Sequence, residues 1–433
     1  MDQPAEGNTV PGAVIGRARA NLLPLVAGQS VSLFGDYVAF FTLPYFMLSL
    51  TGEALDLGLT AFAETLPMVL FGLAAGVLLD RMKRLGRLLV AADLARALAF
   101  VLLAFLASEW GPELTVRTSA IAVFVVAFLV GSLSVLFDSG LQTYMTRCLL
   151  DSDLITGNAR LGLARTIALS VGPLVGGLAV TVSGGFAVAF GLNALTFVVS
   201  AVFLVQIRPI RRSAAVAAER FRVALASGLR VLFSEPVLRW GTLGGTMTNL
   251  VFQPLEALLV LFVAQEVLHI EAITDVASRE GLAVGLFIAL QAAIGSIGVA
   301  FAGRVARHVS LGTMYIVGLV MLGGGFLAVA MLRSWVAVVP AGVALSGVTW
   351  VNVSLMTLRQ KLAPADQMGR VISASRTLAW SGLPVGAALG GILAGIFGII
   401  PVYVGGSSAV LLVALLLVRT PLHRERVMAR STP

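Results

Sequence analysis

The sequence predicts an all-α integral membrane protein with twelve transmembrane helices in two six-helix bundles. Three observations carry that prediction: the composition, the spacing of the apolar runs, and the alternation of charge between them. Of the 433 residues 58% are hydrophobic and only 12% charged, and the mean hydropathy is +0.96. Such a chain has too little polar surface for a soluble globule. Most of its 46 glycines fall inside apolar runs, where they suit close helix packing in lipid. A net charge of +8 would suggest nucleic acid for a soluble chain, but here the basic residues sit in connections on alternate sides. Topology accounts for them, and no nucleic-acid partner is expected. The single cysteine, Cys148, excludes an internal disulfide and any multi-cysteine metal site, so no metal is expected.

Taken in order, residues 1–20 carry Asp2, Pro4, Glu6 and Pro11 with no positive start before a short apolar core. They read as a cytoplasmic tail ending in Arg17 and Arg19. Apolar runs of about 20 residues, the length that crosses a bilayer, follow near 21–48, 56–79, 87–107, 118–145, 159–182, 184–206, 238–264, 281–303, 310–332, 335–358, 370–397 and 399–419. Alternate connections hold the arginines and lysines: Arg17 and Arg19, residues 81–87, Arg147 and Arg160, residues 208–239, Arg304 and Arg307, residues 359–370, and residues 419–430. The other set is acidic or nearly uncharged. The positive-inside rule places the first set and both termini in the cytoplasm. The longest basic connection separates an N-terminal bundle, 21–207, from a C-terminal bundle, 238–419. The linker at 208–237 reads as a basic surface helix on the membrane, and 420–433 as a second cytoplasmic tail.

Two stretches carry more than hydropathy. Gly72 and Gly76 lie one helical turn apart and run into Asp80, Arg81, Lys83, Arg84 and Arg87. A carboxylate beside a guanidinium at a membrane surface can pair with it, with a helix end or with lipid phosphate, and so latch two helices. The second stretch is a repeat. Arg165-Thr166 precedes Pro173 and Gly176-Gly177, with Gly172 before the proline; Arg376-Thr377 precedes Pro384, Gly386 and Gly390-Gly391. Each follows a turn with an acid, Asp153 or Asp366. Gly172, Pro173, Gly176, Gly177 and Pro384 therefore read as hinges where bundles bend past each other. The second half lacks the latch, having Arg304 and Arg307 without an aspartate.

The first stretch resembles the loop between the second and third helices of major facilitator superfamily transporters: Gly76, Asp80, Arg81 and Arg84 match, while Lys83 departs from the pattern. Residues 27–36, AGQSVSLFGD, and 91–96, AADLAR, look like the branch that contains enterobactin exporters and macrolide and drug efflux proteins. The Gly172-Pro173 and Gly176-Gly177 run is similar to the fifth-helix signature of proton-linked antiporters. The resemblance implies a major facilitator fold in a bacterial plasma membrane, exporting bulky amphipathic molecules such as drugs or siderophores.

It also implies that the first, fourth, seventh and tenth helices line a central cavity. Those spans carry polar stripes: Gln29, Ser32 and Asp36; Ser134, Asp138 and Gln142; Asn249, Gln253 and Glu256; Ser346, Trp350 and Ser354, with Asn352 beside them. An acid at a helix centre costs roughly 2.5–3.5 kcal/mol on insertion scales, so Asp36, Asp138 and Glu256 should face a wet cavity rather than lipid. Carboxyl groups in such places can exchange protons. Asp36 and Glu256, with Glu64 on the second helix and Asp138, are the expected proton-coupling or substrate-binding residues. Phe252 and Trp350 could offer ring faces to a ligand. Asp93 and Arg96, one turn inside the third helix beside the latch, read as a structural ion pair, and Arg376 reads as scaffold.

An enzyme is excluded by what is missing: no H-E-x-x-H, no G-x-S-x-G and no P-loop, and His269, His308 and His423 do not cluster. Without a nucleotide site no cofactor is expected, and the energy must come from an ion gradient or from the substrate's own gradient, with protons the expected ion. The expected partners are an amphipathic small molecule and the bilayer, with the chain acting as a monomer. The alternatives on the same fold are a lysophospholipid flippase or uniporter, and an importer.

Overall fold

The computed structural model describes residues 12–80, 82–110, 114–210, 221–270, 280–364 and 367–424. Apolar segments in lipid must satisfy their backbone hydrogen bonds internally, and among the described residues every regular element is helical. The first half comprises α1 (Gly12–Thr51), α2 (Ala54–Asp80), α3 (Leu85–Leu106), α4 (Val116–Cys148), α5 (Asp151–Ser183) and α6 (Ala187–Gln206). A 14-residue helix, α7 (Phe221–Ser234), follows. The second half comprises α8 (Pro236–Ala257), α9 (Leu259–Phe262), α10 (Glu280–Val305), α11 (Leu311–Leu332), α12 (Val338–Leu362), α13 (Met368–Trp380), α14 (Gly382–Phe397), α15 (Ile399–Val418) and the short α16 (Pro421–Arg424). Among the described residues eleven helical segments are long and apolar enough to cross a membrane, and α8 with α9 and the π-helical turn that continues it to Val267 makes a twelfth, bent by 47°.

The breaks follow proline. Pro254 precedes the bend at Leu258, and Pro384, which cannot donate to the turn before it, follows the junction of α13 and α14 at Ser381. By contrast α5 runs unbroken through Pro173. The expected surface helix is α7, and it does not lie on the membrane alone. Leu232 on α7 is buried with Leu238 and Val371, and Gly228 sits against the Arg370 carbonyl, so α7 leans on α13 and the start of α8.

Within the first half α1 packs on α5 and α6, α2 on α4, and α3 on α6. Within the second half α11 packs on α12 and α15, α10 on α12, and α8 on α14. Among the described residues the halves meet chiefly along two seams, α2 with α14 and α5 with α10. Helices alternate in direction, so the basic connections share one face, the basic face, and the others share the far face. Among the described residues, the buried cluster that joins the halves draws its first-half residues from the far-face side: Val38 to Leu57, Ala97 to Leu103, Ala120 to Ala127 and Val180 to Phe197. At the basic face each half has a separate cluster, around Leu79, Leu85 and Tyr144 in the first and around Leu232 and Val371 in the second. The molecule is sealed at the far face and parted at the basic face.

Glycine makes the seal. A Cβ on Gly58 would stand 2.6 Å from the Ala387 carbonyl oxygen and 2.7 Å from Gly391 Cα, so α2 and α14 touch backbone to backbone. On the other seam Gly177 meets the Gly281 carbonyl and Gly285 meets the Pro173 carbonyl. The glycines and proline read as hinges in α5 thus serve as a contact surface, Gly172 and Gly176 against α1 and Gly177 against α10, as Gly390 does for α8 and Gly391 for α2.

Candidate functional site

Between the parted halves the second half carries a cavity of about 430 Å³. Its walls follow helical periodicity: Gly245, Thr248, Asn249, Phe252 and Glu256 from α8; Asn352, Met356 and Arg359 from α12; Arg376 and Trp380 from α13. A second cavity of about 270 Å³ is walled by both halves, with Phe40 from α1, Glu64 and Thr65 from α2, and Gln253 and Glu256 from α8. Glu256 lines both cavities, and Glu64 faces it across the smaller one. Both acids are expected at the cavity, but only the packing of the two halves puts them in one pocket.

Asp36 is half-buried on α1, outside the walls of both cavities, within electrostatic reach of Arg96, Asp138, Asp93 and Glu64. Asp138 is exposed on α4 and feels Arg96, Arg165 and, from the other half, Arg376. Gln142 is exposed one turn further along α4. Asn249 lines the larger cavity while its amide donates to the Ala379 carbonyl at 2.8 Å, tying α8 to α13.

Several expected wall residues lie elsewhere. Gln29 and Ser32 are buried inside the first half, where Gln29 Nε2 donates to Ser200 Oγ on α6 at 3.1 Å. The amide of Gln29 is thus satisfied within one bundle, and Ser32 is buried one turn further along α1. Trp350 donates from its indole to the Gly298 carbonyl at 3.0 Å and Ser346 to Gly295 at 3.1 Å, so both bind α12 to α10 rather than facing the cavity. Arg376, read as scaffold, instead lines the cavity, exposed and stacked 3.8 Å from the Trp380 ring centroid.

Of the latch, Arg81 lies outside the described residues, as do the surroundings of Gly76 and the side chain of Asp80. Arg84 is exposed just before α3. The group that holds the end of α2 is Arg147 from α4, which sequence reading counted only as a loop charge: its Nη1 donates to the Met82 carbonyl at 2.7 Å and its Nη2 to Leu79 at 3.5 Å. A cation on a helix C-terminus opposes the negative end of its dipole. Asp93 and Arg96 form a fully buried ion pair, with the guanidinium 4.2 Å from the Phe137 ring centroid and 4.3 Å from that of Phe197.

The sequence of residues 25–386 matches the Major Facilitator Superfamily. Multidrug efflux pump Tap of Mycolicibacterium fortuitum is 25% identical over 422 residues, covering 95% of this chain and 98% of that protein. Macrolide efflux protein A of Streptococcus pyogenes is 24% identical over 382 residues, covering 86% of this chain and 89% of that one. Among solved structures, a bacterial homologue of the iron transporter ferroportin in its inward-facing state superposes with a TM-score of 0.70 at 18% identity, over 93% of this chain and 98% of that one. The nucleoside transporter NupG gives 0.71 at 12% identity, over 94% and 100%. The helical architecture, the paired seams and these similarities lead to one conclusion: the chain belongs to the major facilitator superfamily and is a multi-pass membrane transporter, not an enzyme.

Proposed function

We propose that this protein is a secondary active exporter that exchanges protons for bulky amphipathic small molecules by alternating access, acting as a monomer in a bacterial plasma membrane. The observation that carries the reading is Glu256, which stands where the larger cavity meets the pocket shared by both halves, opposite Glu64. Efflux proteins among the relatives support the direction. The basic connections support a cytoplasmic basic face, so the state described here is open to the cytoplasm and both termini lie inside.

Exchange follows from Coulomb's law. With the proton released to the cytoplasm and cargo loaded, Glu64 and Glu256 carry like charges across one pocket and push the halves apart at the far face. Cargo then leaves to the outside. A proton entering from that side neutralises one carboxylate, the repulsion falls, and the glycine seams close again. Asp36 and Asp138 extend the same acid set along the first half, and Asn249, Asn352 and Gln253 offer hydrogen bonds to cargo.

The test separates coupling from binding. In proteoliposomes, Glu256→Gln and Asp36→Asn are expected to lose efflux of rhodamine 123 driven by a pH difference, falling to the rate without a gradient, while counterflow at equal pH persists. If both variants keep wild-type gradient-driven efflux, the coupling role is wrong; if wild-type transport ignores the imposed pH difference, the protein is a uniporter.

A further inference from the structure

The larger cavity has a charge arrangement that proton coupling does not use. Arg359, in the last turn of α12, is 7% exposed, yet neither its Nε nor its Nη2 meets a hydrogen-bond partner. Among the described residues no carboxylate pairs with it; the ionisable groups in its electrostatic reach are the Tyr315 phenol and another cation, Arg376. Both arginines line the cavity. A buried cation without a partner is expensive, and a second cation nearby raises the cost. An anion between them removes that cost, and the planar guanidinium presents a fork of donors that matches a carboxylate.

The positions of the charges narrow the ligand further. From Gly245 to Glu256 the α8 wall rises about 16 Å at 1.5 Å per residue. Glu256 lies toward the sealed far face, while α12 delivers Arg359 at the basic face and Arg376 stands about two turns inside it on α13. Between the poles Phe252, Leu345, Val348 and Val351 supply apolar wall, with Asn249 and Asn352 set among them. With Glu256 in the same cavity, a singly charged carboxylate suits the site better than a dianionic phosphate. We propose that Arg359 and Arg376 bind a carboxylate carried by the amphipathic cargo, which enters with its anionic end at the basic face and its apolar body directed toward Glu256.

This inference rests on the cavity being the cargo path of the exporter. Its test uses a matched pair of dyes, rhodamine 110 with a free carboxyl group and rhodamine 123, its methyl ester. Binding to the full-length protein in nanodiscs is followed by fluorescence polarisation with no gradient present. The wild type is expected to bind the acid about tenfold more tightly than the ester, the scale of one charge-assisted hydrogen bond. Arg359→Gln and Arg376→Gln should each collapse that preference, weakening the acid more than the ester, and Arg359→Lys should restore part of it. Should Arg359→Gln fold poorly, Arg376→Gln decides alone, since its side chain is exposed. Equal binding of the two dyes by the wild type, no binding of the acid, or an undiminished preference in Arg376→Gln overturns the proposal. Loss of pH-driven transport with the acid preference intact sinks the antiport reading and leaves this one standing; the reverse pattern sinks this one alone.

Discussion

Replacing Arg96 with leucine should destabilise the protein more than any other single change of a charged residue described here. Asp93 is 0% exposed and Arg96 2%, and the guanidinium lies between the rings of Phe137 and Phe197. Removing the arginine leaves a carboxylate buried in the first half without its cation. Breaking a buried pair by deleting one partner costs about 3–5 kcal/mol, far more than the net worth of the pair. The contrast is Glu266→Gln, which removes an ion pair with Arg333 at 3.7 Å whose side chains are 20% and 48% exposed. Pairs in that setting contribute about 0–1 kcal/mol. Thermal unfolding of purified protein in detergent should show a large fall in Tm for Arg96→Leu and almost none for Glu266→Gln. The double variant Asp93→Leu with Arg96→Met should recover much of the loss, because two apolar side chains need no partner. A Tm for Arg96→Leu equal to that of Glu266→Gln would mean that the pair does not hold the first half together.

The second large effect concerns which face opens. Leucine at Gly58 has no room: its Cβ alone would stand 2.6 Å from one backbone atom of α14 and 2.7 Å from another. Backbone cannot rotate away as a side chain can, so α2 and α14 must separate and the far-face seal is lost. The state described here, parted at the basic face, should become a minor one. Met356 lines the larger cavity and is 40% exposed, so Met356→Cys reports access from the basic face. The native Cys148 is fully buried and contributes little background. Labelling of Met356→Cys by a membrane-impermeant maleimide from the basic face should fall several-fold when Gly58→Leu is added, and transport should stop. Gly162→Leu, where a side chain meets nothing within 4 Å, is the control and should leave labelling unchanged. Unaltered labelling in Gly58→Leu would mean that the glycine seam does not set the balance between the two faces.

Much of the fold could be read from the chain because lipid leaves so few choices. A segment such as 281–303 has to be a helix once it is apolar and long enough, and the charge pattern then sets its direction. Periodicity likewise puts Asn249, Phe252 and Glu256 near one face of α8, and that face lines the larger cavity. What periodicity cannot supply is the neighbour. Gln29 and Ser32 form as good a stripe as the one on α8, yet α6 covers them, and Trp350 spends its indole hydrogen bond on α10.

The arginines escape a sequence reading for a different reason. Arg359 and Arg376 stand near the cytoplasmic ends of their predicted spans, where the positive-inside rule already accounts for a cation. Only the tertiary arrangement shows that Arg359 lacks a partner and that both face a cavity. One local signal was available: Asn352, Met356 and Arg359 fall at i, i+4 and i+7, continuing a polar stripe into the last turn of α12. An acid inside an apolar helix marks Glu64 and Glu256 each as a cavity candidate, but that they line the same pocket depends on how two bundles are set against each other.

The exchange of protons for cargo is tested most directly by watching both at once. Proteoliposomes enclosing a spectrally separate pH indicator are given rhodamine 123 from outside, with no pH difference imposed. The interior should turn alkaline as the dye enters, and Glu256→Gln should abolish that change while dye exchange continues. Dye entry with no proton movement in the wild type, or the same alkalinisation in Glu256→Gln, would contradict the role given to Glu256.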